Sequence, residues 1–365
     1  MKQIDKYLDS VSIDSFKYRI QLTELDSYCQ SLLDHYATIN VSTSEIIEAS
    51  TDWKLRAKKI NENGVSIHIA IEKNQKVSMN RTADVLTVLI NAKMHKGIEY
   101  FNGINATNIV SIYKHLMSLE LFKCSLSTFV NCGKVTDCDF KLDSRLNDAQ
   151  YNEVLKQMKL MATFKANVPI RDSFKGKGNR GIQFNERKAS NYISNPFLKL
   201  YSKTADLKHN SIEFANEYLS GINTKDIRRI ETTVKNSKHF KSLGINDNSL
   251  NTVLNLADET RNNILQSAVN KYINTTKKVK TKMRNPNELT PTENLICQGL
   301  IATMEGFNMT FDKAVKFQTN GIECRTSRSR MKTLLERIYQ GQIKGLDLDQ
   351  RLEQTDSYFR LLGIS

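Results

Sequence analysis

The chain has 365 residues, 39% of them hydrophobic, and carries 53 Lys and Arg against 39 Asp and Glu, a net charge of +14. Its length supports two domains of ordinary size with a substantial core, and 13 Tyr, 15 Phe and only 4 Pro argue against disorder. The cationic excess favours a polyanionic partner such as nucleic acid, no stretch reaches the ~20 apolar residues of a bilayer span, and Met1 to Ser10 has no apolar run of the signal-peptide kind.

Cys29, Cys124, Cys132, Cys138, Cys297 and Cys324 lie far apart with no C-x-x-C pair, which reads as reduced, mostly buried thiols in a cytosol and not as a zinc ribbon. No Gly-x-x-x-x-Gly-Lys-Ser/Thr phosphate loop is present, so ATP use is not expected.

In chain order, Phe16 to Leu22 alternates apolar and polar residues, and Val65 to Ile71 does the same. A helix is predicted over 106–120, where Ile109, Ile112, Tyr113 and Leu116 share a face. Alternation returns from Thr136 to Leu142, followed by a helix over 146–163 that aligns Leu146, Tyr151, Val154, Leu155, Met158 and Met161. Phe197-Leu198-Lys199-Leu200-Tyr201-Ser202-Lys203 and Arg228 to Lys235 complete the alternating set. Period-2 patterning marks strands with one face on a core. The expected fold is therefore α+β: an antiparallel sheet with helices on one face and an open polar face on the other. That face would carry Arg19, His68, Asp137, Asp139, Lys199, Tyr201, Lys203, Arg229 and Glu231.

From about 247 onward the sequence reads as helices, interrupted by the basic run Lys277-Lys278-Val279-Lys280-Thr281-Lys282 and a turn at Asn285-Pro286-Asn287. The expected division is 1–246 for the sheet domain and 247–365 for an all-helical domain. Within the latter, Thr290, Pro291 and Glu293 form a helix start with a capping box. Arg325, Arg328, Arg330 and Lys332 precede an apolar stripe, as in the last helix of a DNA-reading helix-turn-helix or, equally, at a solvated helix end.

Three strands carry candidate chemistry. Asp137 and Asp139 share a face while Cys138, Phe140 and Leu142 point the other way. Their mutual repulsion would be relieved by a hard divalent cation, Mg²⁺ or Mn²⁺, with Glu231 completing the site; an ordinary solvated strand face is the alternative. Tyr201 sits between Lys199 and Lys203, an arrangement expected to lower the phenol's pKa and to bind a phosphate; the alternative is a tyrosine chosen for its strand propensity. His68 is centred on an alternating strand and is weakly marked as a ligand.

At these residues the chain resembles the rolling-circle replication initiators of phages and plasmids, above all the gene II replication proteins of filamentous phages. Val135-Thr136-Asp137-Cys138-Asp139 is similar to that family's strand ending in Arg-Ile-Asp. Phe197 to Lys203 matches its Tyr-x-Lys strand, and Arg228-Arg229-Ile230-Glu231 its Arg-x-Glu strand. Lys238 to Ile245 and Ile212-Glu213-Phe214-Ala215 resemble neighbouring segments, in the same order, over roughly 60–255.

The resemblance implies duplicated ββα-type halves and a metal-dependent nickase and strand-joining enzyme. By it Tyr201 is the nucleophile, Lys203 contacts the scissile phosphate, and Asp139 and Glu231 hold Mg²⁺ or Mn²⁺. Lys199, Arg229, Arg325, Arg328 and Arg330 would contact DNA. The implied partners are origin DNA, supercoiled and single-stranded, with a host helicase and polymerase in a bacterial cytoplasm. Two departures stand out: Asp137 replaces the family's arginine, and His68-Ile69-Ala70 is at best a remnant of the His-hydrophobic-His motif of related nickases. A noncatalytic copy-control repressor, or a relaxase or transposase, fits the same charge. Tyr192 and Tyr218 are candidates for a second nucleophile.

Overall fold

The computed structural model describes residues 4–29, 38–39, 46–47, 58–78, 81–161, 170–172, 181–184, 197–272, 290–307 and 311–338. Its centre is a nine-stranded antiparallel sheet. The strands are β1 (Val11–Gln21), β2 (Lys58–Glu62), β3 (Val65–Ser78), β4 (Arg81–Asn91) and β5 (Lys134–Arg145). They continue with β6 (Ile170–Asp172), β7 (Gly181–Phe184), β8 (Phe197–Ser202) and β9 (Ile227–Lys235). Their order across the sheet is β6-β7-β8-β9-β5-β1-β4-β3-β2. The fold is α+β, as the alternating segments predict.

The helices of this part are α1 (Glu99–Asn102), α2 (Ile109–Ser118), α3 (Leu126–Cys132), α4 (Asp148–Met161), α5 (Lys203–His209) and α6 (Ile212–Tyr218). After the last strand come α7 (Asn236–Ser242), α8 (Leu250–Leu254) and α9 (Asp258–Tyr272).

One sheet face is apolar. Phe16, Tyr18 and Ile20 on β1, Cys138, Phe140 and Leu142 on β5, Ile230 and Val234 on β9, and Leu198 and Leu200 on β8 are all buried there. α9 lies against β1, β5, β8 and β9 and supplies Ile264, Leu265, Ala268, Val269 and Tyr272. The Tyr272 ring stacks on Phe184 with centroids 4.9 Å apart. Each such apolar side chain contributes about 1.5–3 kcal/mol of burial, which is what fixes strand register.

The opposite face is polar, but it is not left open as the sequence reading expects. α1, α5 and α6 fold over it: Tyr100 and Phe101 of α1 are buried, and Tyr100 makes an edge contact with Phe214 of α6 at 5.1 Å. Asn63 and Gly64, with φ of 46° and 79°, turn β2 into β3. A Cβ on Gly64 would lie 2.7 Å from the Phe214 nitrogen, so a glycine lets α6 close against the hairpin end.

A second compact unit follows. α10 (Pro291–Gly306), α11 (Phe311–Thr319) and α12 (Arg325–Ile338) surround Leu300, Ala314, Val315 and Leu335, with Ile296, Met304, Phe311 and Met331 packed against them. α8 and α9 belong to the first unit, so the division falls after Tyr272 and not at 246/247. Amphipathic helices that bury a stripe on the sheet cannot be told by pattern from helices that form their own core. No helix among the described residues is long and apolar enough to cross a membrane. The basic run 277–282 lies outside the described residues.

Candidate functional site

Register brings the polar residues of four strands together. On β9, Arg229, Glu231 and Thr233 point to the polar face. Across β8 they pair with Tyr201, Lys199 and Phe197; across β5 they pair with Asp143, Lys141 and Asp139. β1 continues the row, with Ser15 opposite Asp139 and Lys17 opposite Asp137. The strands named by the sequence therefore converge on one patch.

Tyr201 is 3% exposed, and its hydroxyl donates to Glu231 Oε2 at 3.0 Å. Lys199 Nζ lies 3.9 Å from the Tyr201 ring centroid, and Lys203 Nζ lies 5.8 Å from it. Burial pushes the Tyr201 phenol well above its ordinary value, Glu231 adds to the shift and Arg229 opposes it. This reverses the expectation that the flanking lysines lower it. Lys203 is itself buried and paired, donating to Asp206 Oδ2 at 2.6 Å, so little of its charge is left to act on the phenol.

Asp139 is held by hydroxyls on both sides: Ser15 Oγ donates to Oδ2 at 2.6 Å and Thr233 Oγ1 to Oδ1 at 2.5 Å. Glu231 and Asp139 are diagonal neighbours on adjacent strands of the same face. Asp137 shares that face farther along, beside Lys17. Burial and Arg19 lower the Lys17 ammonium to about 8, against the pull of Glu72 and Asp137.

Among the described residues no group of three or more His, Cys, Asp and Glu gathers as a metal cage. Asp137 is thus not joined to Asp139 and Glu231 in a three-carboxylate cluster. Two carboxylates remain, oriented by hydroxyl donors, and this is the donor set that suits a hard cation keeping several waters. His68 stands on β3, five strand positions from Tyr201, roughly 24 Å at the usual strand spacing. It belongs to a different part of the face.

Arg229, expected to contact DNA, is engaged inside the fold. It is fully buried, with Nε and Nη2 donating to Asp143 at 2.7 and 2.8 Å and Nη1 donating to Asp14 at 2.7 Å. Lys141 Nζ completes the cluster, 2.6 Å from Asp143 Oδ2 and 2.9 Å from the Phe101 carbonyl. The paired carboxyls respond: despite burial, Arg229 and Lys141 hold Asp143 well below the carboxylate range, and Asp206 falls to about 2 beside Lys203.

Sequence reasoning missed Asp14, Tyr100, Lys141, Asp143 and Asp206. Lys141 and Asp143 continue the alternation that begins at Asp137, so a longer reading of that strand finds them. Asp14 could not be found that way, because the register shift between Ile13 and Ser15 inserts it as an extra residue.

In the second unit Arg325 and Arg330 are exposed on α12. Arg328 is spent locally: Nε and Nη2 donate to the Ile322 carbonyl at 2.8 and 2.5 Å and brace the turn before the helix. Tyr218 accepts from Asn63 Nδ2 at 3.4 Å, and Tyr192 lies outside the described residues.

No protein-family model matches this chain, and no curated protein matches it. Among solved structures the chain is similar to one described as a rolling circle replication initiator protein from Geobacillus stearothermophilus. The identity is 12%, 75% of this chain and 89% of that chain are covered, and the TM-score is 0.31.

Proposed function

We propose that this chain is a metal-dependent tyrosine DNA nickase and strand-joining enzyme that starts rolling-circle replication at a phage or plasmid origin. The observation that carries the reading is the Tyr201 hydroxyl bonded to Glu231 at 3.0 Å, with Asp139 one diagonal step away. A charge argument adds to it. Arg229, Lys141 and Lys203 face Asp14, Asp143 and Asp206, three cations against three anions. Those pairs balance among themselves, while Glu231 and Asp139 add two negative charges against the one positive charge of Lys199 beside them. A DNA phosphate is accommodated here once a cation sits on the two carboxylates. The similarity of the strands at Asp139, Tyr201 and Glu231 to the rolling-circle initiators supports the same assignment.

Tyr201 Oη attacks the phosphorus and its proton passes to Glu231 Oε2. The P–O3′ bond breaks and the 3′ oxygen takes up a proton, leaving a 5′-phosphotyrosine and a 3′-hydroxyl for a host polymerase, with a host helicase opening the duplex. In the reverse step a 3′-hydroxyl displaces Tyr201 and closes the strand without ATP. Mg²⁺ or Mn²⁺, held by Asp139 and Glu231, would supply positive charge to the non-bridging oxygens. Lys199 covers the phenol ring at 3.9 Å, so its side chain must swing aside as DNA enters and can follow the phosphate. Lys203 faces the phosphate from the other side. Arg325 and Arg330 on α12 would bind origin duplex, and the setting is a bacterial cytoplasm.

The test is incubation with supercoiled origin plasmid and Mg²⁺ or Mn²⁺. Nicked product and a covalent adduct are expected, with mass spectrometry placing the adduct on Tyr201. Tyr201→Phe should lose both by about 10³-fold or more. A bandshift without nicking under either metal identifies a DNA-binding copy-control protein instead.

A further inference from the structure

The hairpin of β3 and β4 outruns the sheet around it. β2 pairs with β3 only as far as Ile69, and β1 pairs with β4 only as far as Val85. Beyond those points, among the described residues, the two strands pair with each other alone, through Gln75 and Ala83, Lys76 and Thr82, and Ser78 and Arg81. From Val85 to Arg81 the free ribbon extends roughly 13 Å at the usual rise per residue.

Its composition changes where it leaves the core. Ile69 and Ile71 are buried opposite Val88 and Leu86. Residues 73–84 drop that apolar alternation and carry Lys73, Lys76 and Arg81 against a single acid, Asp84. Lys73, Asn74, Val77, Arg81 and Thr82 are exposed. Two irregularities shape the ribbon: Lys73 and Asn74 together stand against Asp84, and Val77 is an extra residue between Lys76 and Ser78. Asn74 takes a φ of 53°, and its N–H donates to Asp84 Oδ1 at 2.9 Å. Bulges add twist and spoil a free edge for pairing with another strand, which disfavours a second copy of the chain as the partner. At the root, Glu72 is 5% exposed and accepts from Arg19 Nη2 at 2.8 Å and Thr87 Oγ1 at 2.5 Å, which ties the ribbon to β1 and β4.

A two-stranded ribbon outside a core is marginally stable at best, so core packing does not account for this polar extension. Its shape and charge fit a particular ligand. The major groove of B-DNA, about 12 Å wide and about 8.5 Å deep, admits a two-stranded ribbon, and phosphates line its rims. We propose that the β3–β4 ribbon beyond Glu72 and Val85 is a duplex-binding arm that enters the major groove, with Lys73 and Arg81 on the flanking phosphates. The inference rests on the reading of the chain as a DNA-acting protein, but not on the chemistry at Tyr201, and its test needs no turnover.

The full chain is titrated against a short mixed-sequence duplex, with fluorescence anisotropy as the readout. The variant Lys73→Ala with Arg81→Ala should bind about tenfold more weakly or worse at about 0.1 M salt, and the slope of log affinity against log salt should shrink by about two. Its thermal midpoint should stay near wild type, because both side chains are exposed. Methyl green, which occupies the major groove, should compete with the wild type, and distamycin, which occupies the minor groove, should not. p-Benzoylphenylalanine at position 77 should cross-link to the duplex on irradiation.

An unchanged affinity and salt slope in the double variant overturns the proposal. So does a position-77 cross-link that joins two copies of the chain and no DNA, which identifies the ribbon as a self-association edge. The cross-link decides by itself if the double variant loses its fold. Wild-type protein that binds duplex through the arm yet never nicks removes the nickase reading and leaves the arm standing. Nicking by the wild type, with affinity and slope unmoved in the variant, removes the arm and leaves the nickase.

Discussion

Two halves of one sheet face are built from the same residue types and end in opposite states. Around Arg229, the ions Asp14, Lys141 and Asp143 satisfy one another in a dry cluster capped by Tyr100. Around Glu231, hydroxyls donate to the acids, Tyr201 to Glu231 and Ser15 and Thr233 to Asp139, and Lys199 stands opposite Glu231 across the strands. The first half is closed electrostatically and has nothing left for a ligand. In the second, two carboxylates face hydroxyls and the single ammonium of Lys199, which lies over the Tyr201 ring 3.9 Å from its centroid. Burial alone therefore does not separate the two halves; the way their acids are held does.

The comparison can be broken most forcefully at Arg229. Arg229→Ala leaves Asp14 without its ion-pair partner and Asp143 with Lys141 alone, and should cost about 3–5 kcal/mol, read as a shift in denaturant midpoint. Arg229→Lys should recover only part of it, since an ammonium cannot reproduce the bidentate fork. Glu231→Gln in the other half should have the converse signature. Adduct formation should drop on the order of 10²-fold with the unfolding midpoint nearly unmoved.

A ligand separates the halves without chemistry. Mg²⁺ or Mn²⁺ should raise the thermal midpoint of the wild type, and Asp139→Asn or Glu231→Gln should abolish that rise. If Asp137→Asn abolishes it as well, the cation is held farther along β5 than proposed.

Acid sharpens the contrast further. Asp206 and Asp143 have folded-state pKa values below their unfolded ones, with Asp206 at about 2. Their contribution is present above about pH 4 and is lost as pH falls toward 2. Acid titration of stability should show this loss, and Asp206→Asn should reduce its slope. The smallest effect is expected in the helical unit. Arg325→Ala or Arg330→Ala should weaken duplex binding by about 1 kcal/mol and lower the salt slope by about one, with nicking of single-stranded oligonucleotides unchanged.

Alternation in the sequence was enough to find β1, β3, β5, β8 and β9 and to place Asp139, Tyr201 and Glu231 on polar faces, because side-chain period is a local property of a strand. It also separated Cys138, Phe140 and Leu142 from the acids between them. It could not say that Arg229 would be consumed by Asp143 and by Asp14, residues 86 and 215 positions away. Nor could it show that α1 would cover the polar face, or that burial would outweigh two flanking lysines at the Tyr201 phenol. Local pattern determines which way a side chain points. Which ions meet, how dry their contact is, and what charge remains depend on strand order and on distant segments folding over the sheet, and only the tertiary structure decides those.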